Sequence, residues 1–245
     1  METWVQEVFS SIQGEGIYVG VRQIFLRFIG CNLKCAYCDS HETQSRKNQM
    51  FRVETEPGQG KFAYYKNPVS PEKLLEIIMS FKPGKHHSLS LTGGEPLLQA
   101  DFLQEFLPLF HRLCPVFLET NGTLPDHLVK VLPYIDIISM DIKLPSVTGC
   151  ELWQQHENFL RCSLGKDVYV KIVLTGATTQ EELDQIIRLL KKIDISLPLV
   201  LQPVTPLGGV KEMAGEKLIG VQDYLSSVLK NVRVIPQTHI VLNQL

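Results

Sequence analysis

No run of apolar residues in this 245-residue chain approaches the roughly 20 that a membrane-spanning helix requires. The opening stretch METWVQEVFSSIQGEG lacks the basic head and apolar centre of a secretory signal. Blocks of like charge are missing too. The 24 Lys and Arg stand against 26 Asp and Glu, scattered along the chain, for a net charge of −2. That distribution argues against a nucleic-acid or membrane partner. Cysteine is sparse, six in all, without the framework of a disulfide-stapled domain. Together these absences predict a cytoplasmic protein whose cysteines are thiols or metal ligands.

What is present is ordinary globular material, 44% hydrophobic and 20% charged. A chain of this length buries roughly 70–75% of its unfolded surface and needs no staple. After residue 70, helical and strand-like runs alternate. PEKLLEIIMSF has helical apolar spacing behind Ser70 and Pro71, a good N-cap and first turn. HSLSLTGGEP, PVFLETNG, IDIISMDIK, DVYVKIVLT, PLVLQPV and VRVIPQTH read as strands between further helices. VRQIFLRFIG precedes them as a first strand. This alternation predicts βαβ units and a parallel sheet. The strands are too few for a closed eight-stranded barrel. The expectation is an α/β fold: a partial, open (β/α)6-type barrel in a single domain over residues 1–245. A doubly wound open sheet is the second choice. Residues 41–69, with two strand-like runs around PGQG, read as a β-hairpin insertion.

In such folds chemistry gathers at the C-terminal ends of the strands. The polar motifs CNLKCAYC, TGGEP, ETNG, SMDIK and QPVTP all fall there. The first holds Cys31, Cys35 and Cys38, spaced C-x3-C-x2-C. Three cysteines within eight residues of a loop are poor core packing. A structural zinc site takes four ligands, and these three need one more, for which His41 is nearby. The remaining alternative is a 4Fe–4S cluster with one iron left open. Cys114 and Cys162 sit near apolar helical faces and read as structural, and Cys150 has no ligand spacing.

The C-x3-C-x2-C motif with Tyr37 before the last cysteine, together with GGEP and the partial barrel, resembles the radical S-adenosylmethionine (SAM) enzymes. The resemblance implies that SAM chelates the open iron and that its reductive cleavage gives a 5′-deoxyadenosyl radical that abstracts a substrate hydrogen. It places Tyr37, Gly93, Gly94, Glu95, Ser139, Met140, Asp141 and Lys143 around SAM. Ser139, Asp141 and Lys143 lie two apart on one side of a strand, where a carboxylate and an amine suit a ribose diol and a carboxylate. A plain salt bridge is the alternative.

SSIQGEG, followed by LRFIGCNLKCAYCDS, is similar to the 7-carboxy-7-deazaguanine synthase family of the queuosine pathway. This implies ring contraction of 6-carboxy-5,6,7,8-tetrahydropterin with loss of ammonia. A glycyl-radical activase and a zinc-binding interaction module are the alternatives. Ile12, Gln13, Gly14 and Glu15 are then placed at the pterin's polar edge, with Thr92 beside the ring. Arg27, flanked by Leu and Phe on its strand, must be paired, and a planar carboxylate is its natural bidentate partner. A protein Asp or Glu competes for that role. The family further implies Mg2+ at Ser40, a substrate contact from His239 at the end of the last strand, a homodimer, and a flavodoxin-like electron donor. Six residues beyond His239, the carboxylate of Leu245 is within reach of the same rim and is expected to accept from the paired donors of the pterin edge.

Overall fold

The computed structural model describes residues 1–38 and 48–242. Among the described residues ten strands form one sheet: β1 (Val5–Ile12), β2 (Arg22–Phe28), β3 (Met50–Glu56), β4 (Lys61–Lys66), β5 (Ser88–Gly93), β6 (Val116–Thr120), β7 (Ile137–Asp141), β8 (Asp167–Leu174), β9 (Leu199–Pro203) and β10 (Val232–Val234). Their order is β10-β9-β8-β7-β6-β5-β2-β1-β3-β4. The run from β2 through β10 is entirely parallel. The ends β4 and β10 do not meet, so the barrel is open, as the strand count predicts. Helices α1 (Pro71–Met79), α2 (Ala100–Phe110), α3 (Pro125–Val131), α4 (Pro145–Thr148), α5 (Trp153–Ser163), α6 (Gln180–Ile193), α7 (Gly215–Ser226) and α8 (Thr238–Val241) lie along the connections.

Local chemistry sets these elements. Ser70 caps α1 by accepting from Lys73 N, Pro71 opens its first turn, and Leu74, Ile77 and Ile78 form its buried stripe. Thr179 and Glu182 make a reciprocal capping box on α6. On β5, Leu89 and Leu91 pack outward into the main core while Ser88, Ser90 and Thr92 alternate to the other face. The concave interior is therefore polar along part of its length. Phe117, Ile137, Tyr169 and Val200 form a separate apolar cluster with Ile17 and Tyr18 at the N-terminal ends of β6 to β9. That cluster closes the floor of the barrel. Among the described residues no helix is long and apolar enough to cross a membrane.

Three expectations change. Val5–Ile12, not read as a strand, is β1, antiparallel to β2. VRVIPQTH is a strand only over Val232–Val234, and His239 lies on the short helix α8 beyond it. The hairpin occupies 50–66 and continues the sheet: β3 pairs in parallel with β1 at Glu7↔Arg52 and Val8↔Val53. Its partner strand β1 is itself invisible to parallel-strand patterning, which is why the sequence showed a hairpin insertion but not its place in the sheet.

Candidate active site

The parallel strands end at a cavity of about 440 Å3. Small-molecule sites span roughly 300–1,000 Å3. Cys31, Cys35, Cys38 and Tyr37 reach it from the loop after β2, Thr92, Gly93 and Gly94 from the end of β5, and Ser139, Asp141 and Lys143 from β7 and its exit. Arg27 on β2, Ile12 to Glu15 after β1, and His239 on α8 complete the wall. Residues spread from one end of the sequence to the other thus meet at one rim. Ser40 and Leu245 lie outside the described residues.

Glu95 and Met140 do not line the cavity. The Met140 side chain packs on Gly122, where a Cβ would fall 2.4 Å from its methyl group. Glu95 is fully buried. Its carboxylate accepts from Thr120 Oγ1 at 2.8 Å, Leu97 N at 3.1 Å and Asn121 N at 2.8 Å. Burial pushes this carboxyl up to about 7 against those three donors. Glu95 thereby ties the exit of β5 to the exit of β6.

The cysteine loop is fixed at several points. Ala36 N donates to Val147 O of α4 at 3.0 Å, and Cys38 N to Cys35 O at 3.1 Å. Asn32 donates to Thr123 Oγ1 at 2.8 Å and accepts from Asn121 Nδ2 at 2.9 Å. Burial pushes the Cys35 thiol up to about 11 and raises Cys31 as well. Among the described residues no three His, Cys, Asp or Glu side chains are grouped to hold a single metal ion. Cys31, Cys35 and Cys38 nevertheless line one cavity, and three thiolates on one loop fit a polynuclear cluster in which each binds a different iron. Gly94 gives the loop its space, since a Cβ there would lie 2.1 Å from Gly30 O and 2.9 Å from Cys31 Cβ. Backbone cannot yield to such a contact. Gly94→Ala is expected to destabilise the fold by about 1–3 kcal/mol and to lower iron retention, read by thermal melts and iron analysis.

A chain of charges crosses the cavity wall. Lys171 on β8 bonds the Glu15 carboxylate and lies 3.2 Å from Asp141 Oδ2, which also takes Lys143 Nζ at 2.8 Å. Gln237 Nε2 donates to the other Glu15 oxygen at 2.6 Å. Burial drives Glu15 upward, but the charge and hydrogen bond of Lys171, with Gln237, override it and hold the carboxyl at about 2. Burial opposes the charge on Lys171, yet Asp141 and Glu15 carry its ammonium above the ordinary lysine range. Asp141 Oδ1 and Gln202 Oε1 are buried acceptors with no partner among the described residues. Both residues line the cavity. Unmet acceptors of this kind fit the hydroxyl and amino donors of a polar nucleoside ligand. The salt bridge expected as the alternative for the SMDIK strand is present on one oxygen of Asp141, and the other oxygen has no partner among the described residues.

Arg27 has a protein partner, as its competing reading allowed. Its Nε donates to Glu7 Oε1 at 2.7 Å. Glu119, from the ETNG motif, was not singled out in the sequence. It accepts from Gln13 Nε2 at 2.8 Å and Thr92 Oγ1 at 2.7 Å, joining two elements of the wall. Lys171 was missed as well. A lysine inside the apolar strand DVYVKIVLT was its signal, because a buried cation must find carboxylates.

A model of the radical SAM superfamily matches residues 26–200. A 7-carboxy-7-deazaguanine synthase of Geobacter sulfurreducens is 40% identical over 245 residues, covering 98% of this chain and 97% of that protein. This chain belongs to the 7-carboxy-7-deazaguanine synthase family of the radical SAM superfamily. The synthase of Thermococcus kodakarensis is 36% identical over the whole of both chains. A crystal structure described as QueE from Escherichia coli has the same fold at 20% identity, with a TM-score of 0.63 over 96% of this chain and 94% of that one. Membership of the radical SAM superfamily implies a 4Fe–4S cluster and SAM, and not zinc, as the cofactors of the chain.

Proposed function

We infer that the chain contracts 6-carboxy-5,6,7,8-tetrahydropterin to 7-carboxy-7-deazaguanine and releases ammonia, as a radical SAM lyase of 7-deazapurine (queuosine) biosynthesis. Full-length similarity to synthases of that name carries the reading. Cys31, Cys35 and Cys38 would hold a 4Fe–4S cluster, which together with bound SAM would supply one-electron reductive cleavage.

The chain's own residues bind and orient. Asp141, with one oxygen fixed by Lys143 and Lys171, offers the other to a SAM hydroxyl. Gly93 and Gly94 let backbone approach the methionyl end closely. Gln13 and Glu15 read the donors and acceptors of the pterin edge, with Ile12 and Gly14 contributing backbone. Thr92 and His239 contact the ring from two sides. Glu15 arrives ionised at every physiological pH, so it accepts and never donates. The apolar floor around Phe117 and Tyr169 keeps water from entering beneath the radical. Mg2+ at Ser40, a flavodoxin-like donor and a homodimer belong to the same reading and rest on the family.

Arg27 takes the substrate carboxylate on its terminal nitrogens. Arg27→Lys keeps the charge but loses two parallel hydrogen bonds, each contributing on the order of 1.5–3 kcal/mol. Substrate affinity is expected to fall while substrate-free SAM cleavage persists. Unchanged pterin affinity would assign Arg27 to Glu7 alone. The overall test is anaerobic incubation with SAM, dithionite, Mg2+ and the carboxypterin. Deazaguanine carboxylate in the product supports the reading, and SAM cleavage without it rejects it.

A further inference from the structure

Arg27, Glu7 and Arg52 form one row across three neighbouring strands. The registers place Glu7 on β1 opposite Arg27 on β2 and beside Arg52 on β3. Glu7 is buried. One of its oxygens accepts from Arg27 Nε at 2.7 Å, and the other lies 2.7 Å from Arg52 Nε and 2.6 Å from an Arg52 terminal nitrogen. Arg52 is held from its far side by the Phe62 ring on β4, 4.7 Å from the guanidinium carbon to the ring centre. Arg27 alone of the three lines the cavity.

We propose that Arg52, supplied by the hairpin β3–β4, is a positioning residue for the carboxylate-binding guanidinium of Arg27, and that the hairpin is a specificity element of the site.

This rests on the assignment of the substrate carboxylate to Arg27. The reasoning is electrostatic. Glu7 alone would neutralise Arg27 and repel a second carboxylate approaching the same guanidinium. Two arginines on one glutamate leave the row with a net positive charge. Glu7 engages Arg27 through Nε, so the terminal nitrogens make no other hydrogen bond among the described residues. That edge faces a planar anion with its orientation already set. The cation–π contact with Phe62 fixes the outer arginine, so the glutamate between them has one resting geometry. Strand β3 reaches this row by pairing with β1, the contact that makes the hairpin part of the sheet.

The test measures equilibrium binding of the 6-carboxypterin and of its neutral 6-carboxamide to the anaerobic holoenzyme. Wild type, Arg52→Gln, Arg52→Lys and Arg27→Lys are compared, with melting temperatures alongside. Arg52→Gln is expected to weaken carboxylate binding roughly tenfold, a loss of about 1.4 kcal/mol, and to leave carboxamide binding unmoved. Arg52→Lys restores most of the carboxylate preference because it restores the charge. A lower melting temperature with an unchanged preference in Arg52→Gln makes Arg52 a structural brace and overturns the proposal. If Arg27→Lys itself leaves the preference intact, the assignment of Arg27 has failed and the proposal with it. If Arg27→Lys abolishes the preference and Arg52→Gln does not, the proposal alone has failed.

Discussion

Replacing any one of Cys31, Cys35 or Cys38 with alanine is expected to remove product formation completely while the protein stays folded. The two halves of that result have separate causes. None of the three thiols belongs to the apolar core, and each is partly exposed on a loop. Substitutions at such positions usually change stability by no more than about 0.5 kcal/mol. The loop is anchored by other groups, through Asn32 to the exit of β6 and through Ala36 to α4. The melting temperature of the iron-free protein should therefore hardly move. Activity has no such reserve, because three thiolates are the fewest that hold the cluster while leaving one iron open. The measurements are iron and sulfide content, SAM cleavage and product formation after anaerobic reconstitution. Full turnover by any of these variants would remove the basis of the assigned chemistry.

Lys171→Met is expected to cost about 3–5 kcal/mol of folding stability, the penalty of leaving buried partners uncompensated. Lys171 is a buried cation that Glu15 and Asp141 share. Methionine keeps most of its volume, so the loss is electrostatic rather than a cavity. The pH dependence identifies the cause. Glu15 titrates at about 2 in the folded protein, below its ordinary 4.5. Its contribution is present above about pH 4.5 and is lost as pH falls toward 2. Without Lys171, burial is left to dominate, and the folded protein holds the Glu15 proton more tightly than the unfolded chain does. The variant should then gain stability on acidification where the parent loses it. Urea denaturation at several pH values between 3 and 7 reads this directly; parallel pH curves for parent and variant would show that the pair contributes little.

The cysteine motif, the glycines after β5 and the SMDIK strand were legible because their spacing is local. Three thiols in eight residues, or alternate residues on one strand, declare their geometry without the rest of the chain. The partial barrel was legible for a related reason, since apolar strands alternating with amphipathic helices leave few topologies. What stayed hidden depends on pairing at long range. The sequence EVFSSIQ alternates imperfectly, and β1 becomes a strand through its antiparallel register with β2. The hairpin was seen, but not its place in the sheet, which requires β1 first. Glu119 and Lys171 each look like isolated charges on their strands. Their partners, Gln13 and Thr92 for one and Glu15 and Asp141 for the other, come from distant segments. Arg27 was expected to need an anion. Its protein partner Glu7, 20 residues earlier, could not be chosen by spacing.

The contact between α8 and the loop after β1 has a consequence in time. Thr238 donates to Gly14 O from both its backbone and its hydroxyl, across 224 residues of sequence. A Cβ on Gly14 would fall 2.3 Å from His239 Nδ1, so the two segments lock only when glycine stands there. During synthesis at about 5–20 residues per second, the cysteine loop leaves the ribosome many seconds before α8 exists. This wall of the cavity is therefore finished long after Cys31, Cys35 and Cys38 have emerged. The nascent chain carries its cysteine loop early, but the cavity acquires its α8 wall only when that helix docks. The cavity gains this wall only after the ten described strands have been made.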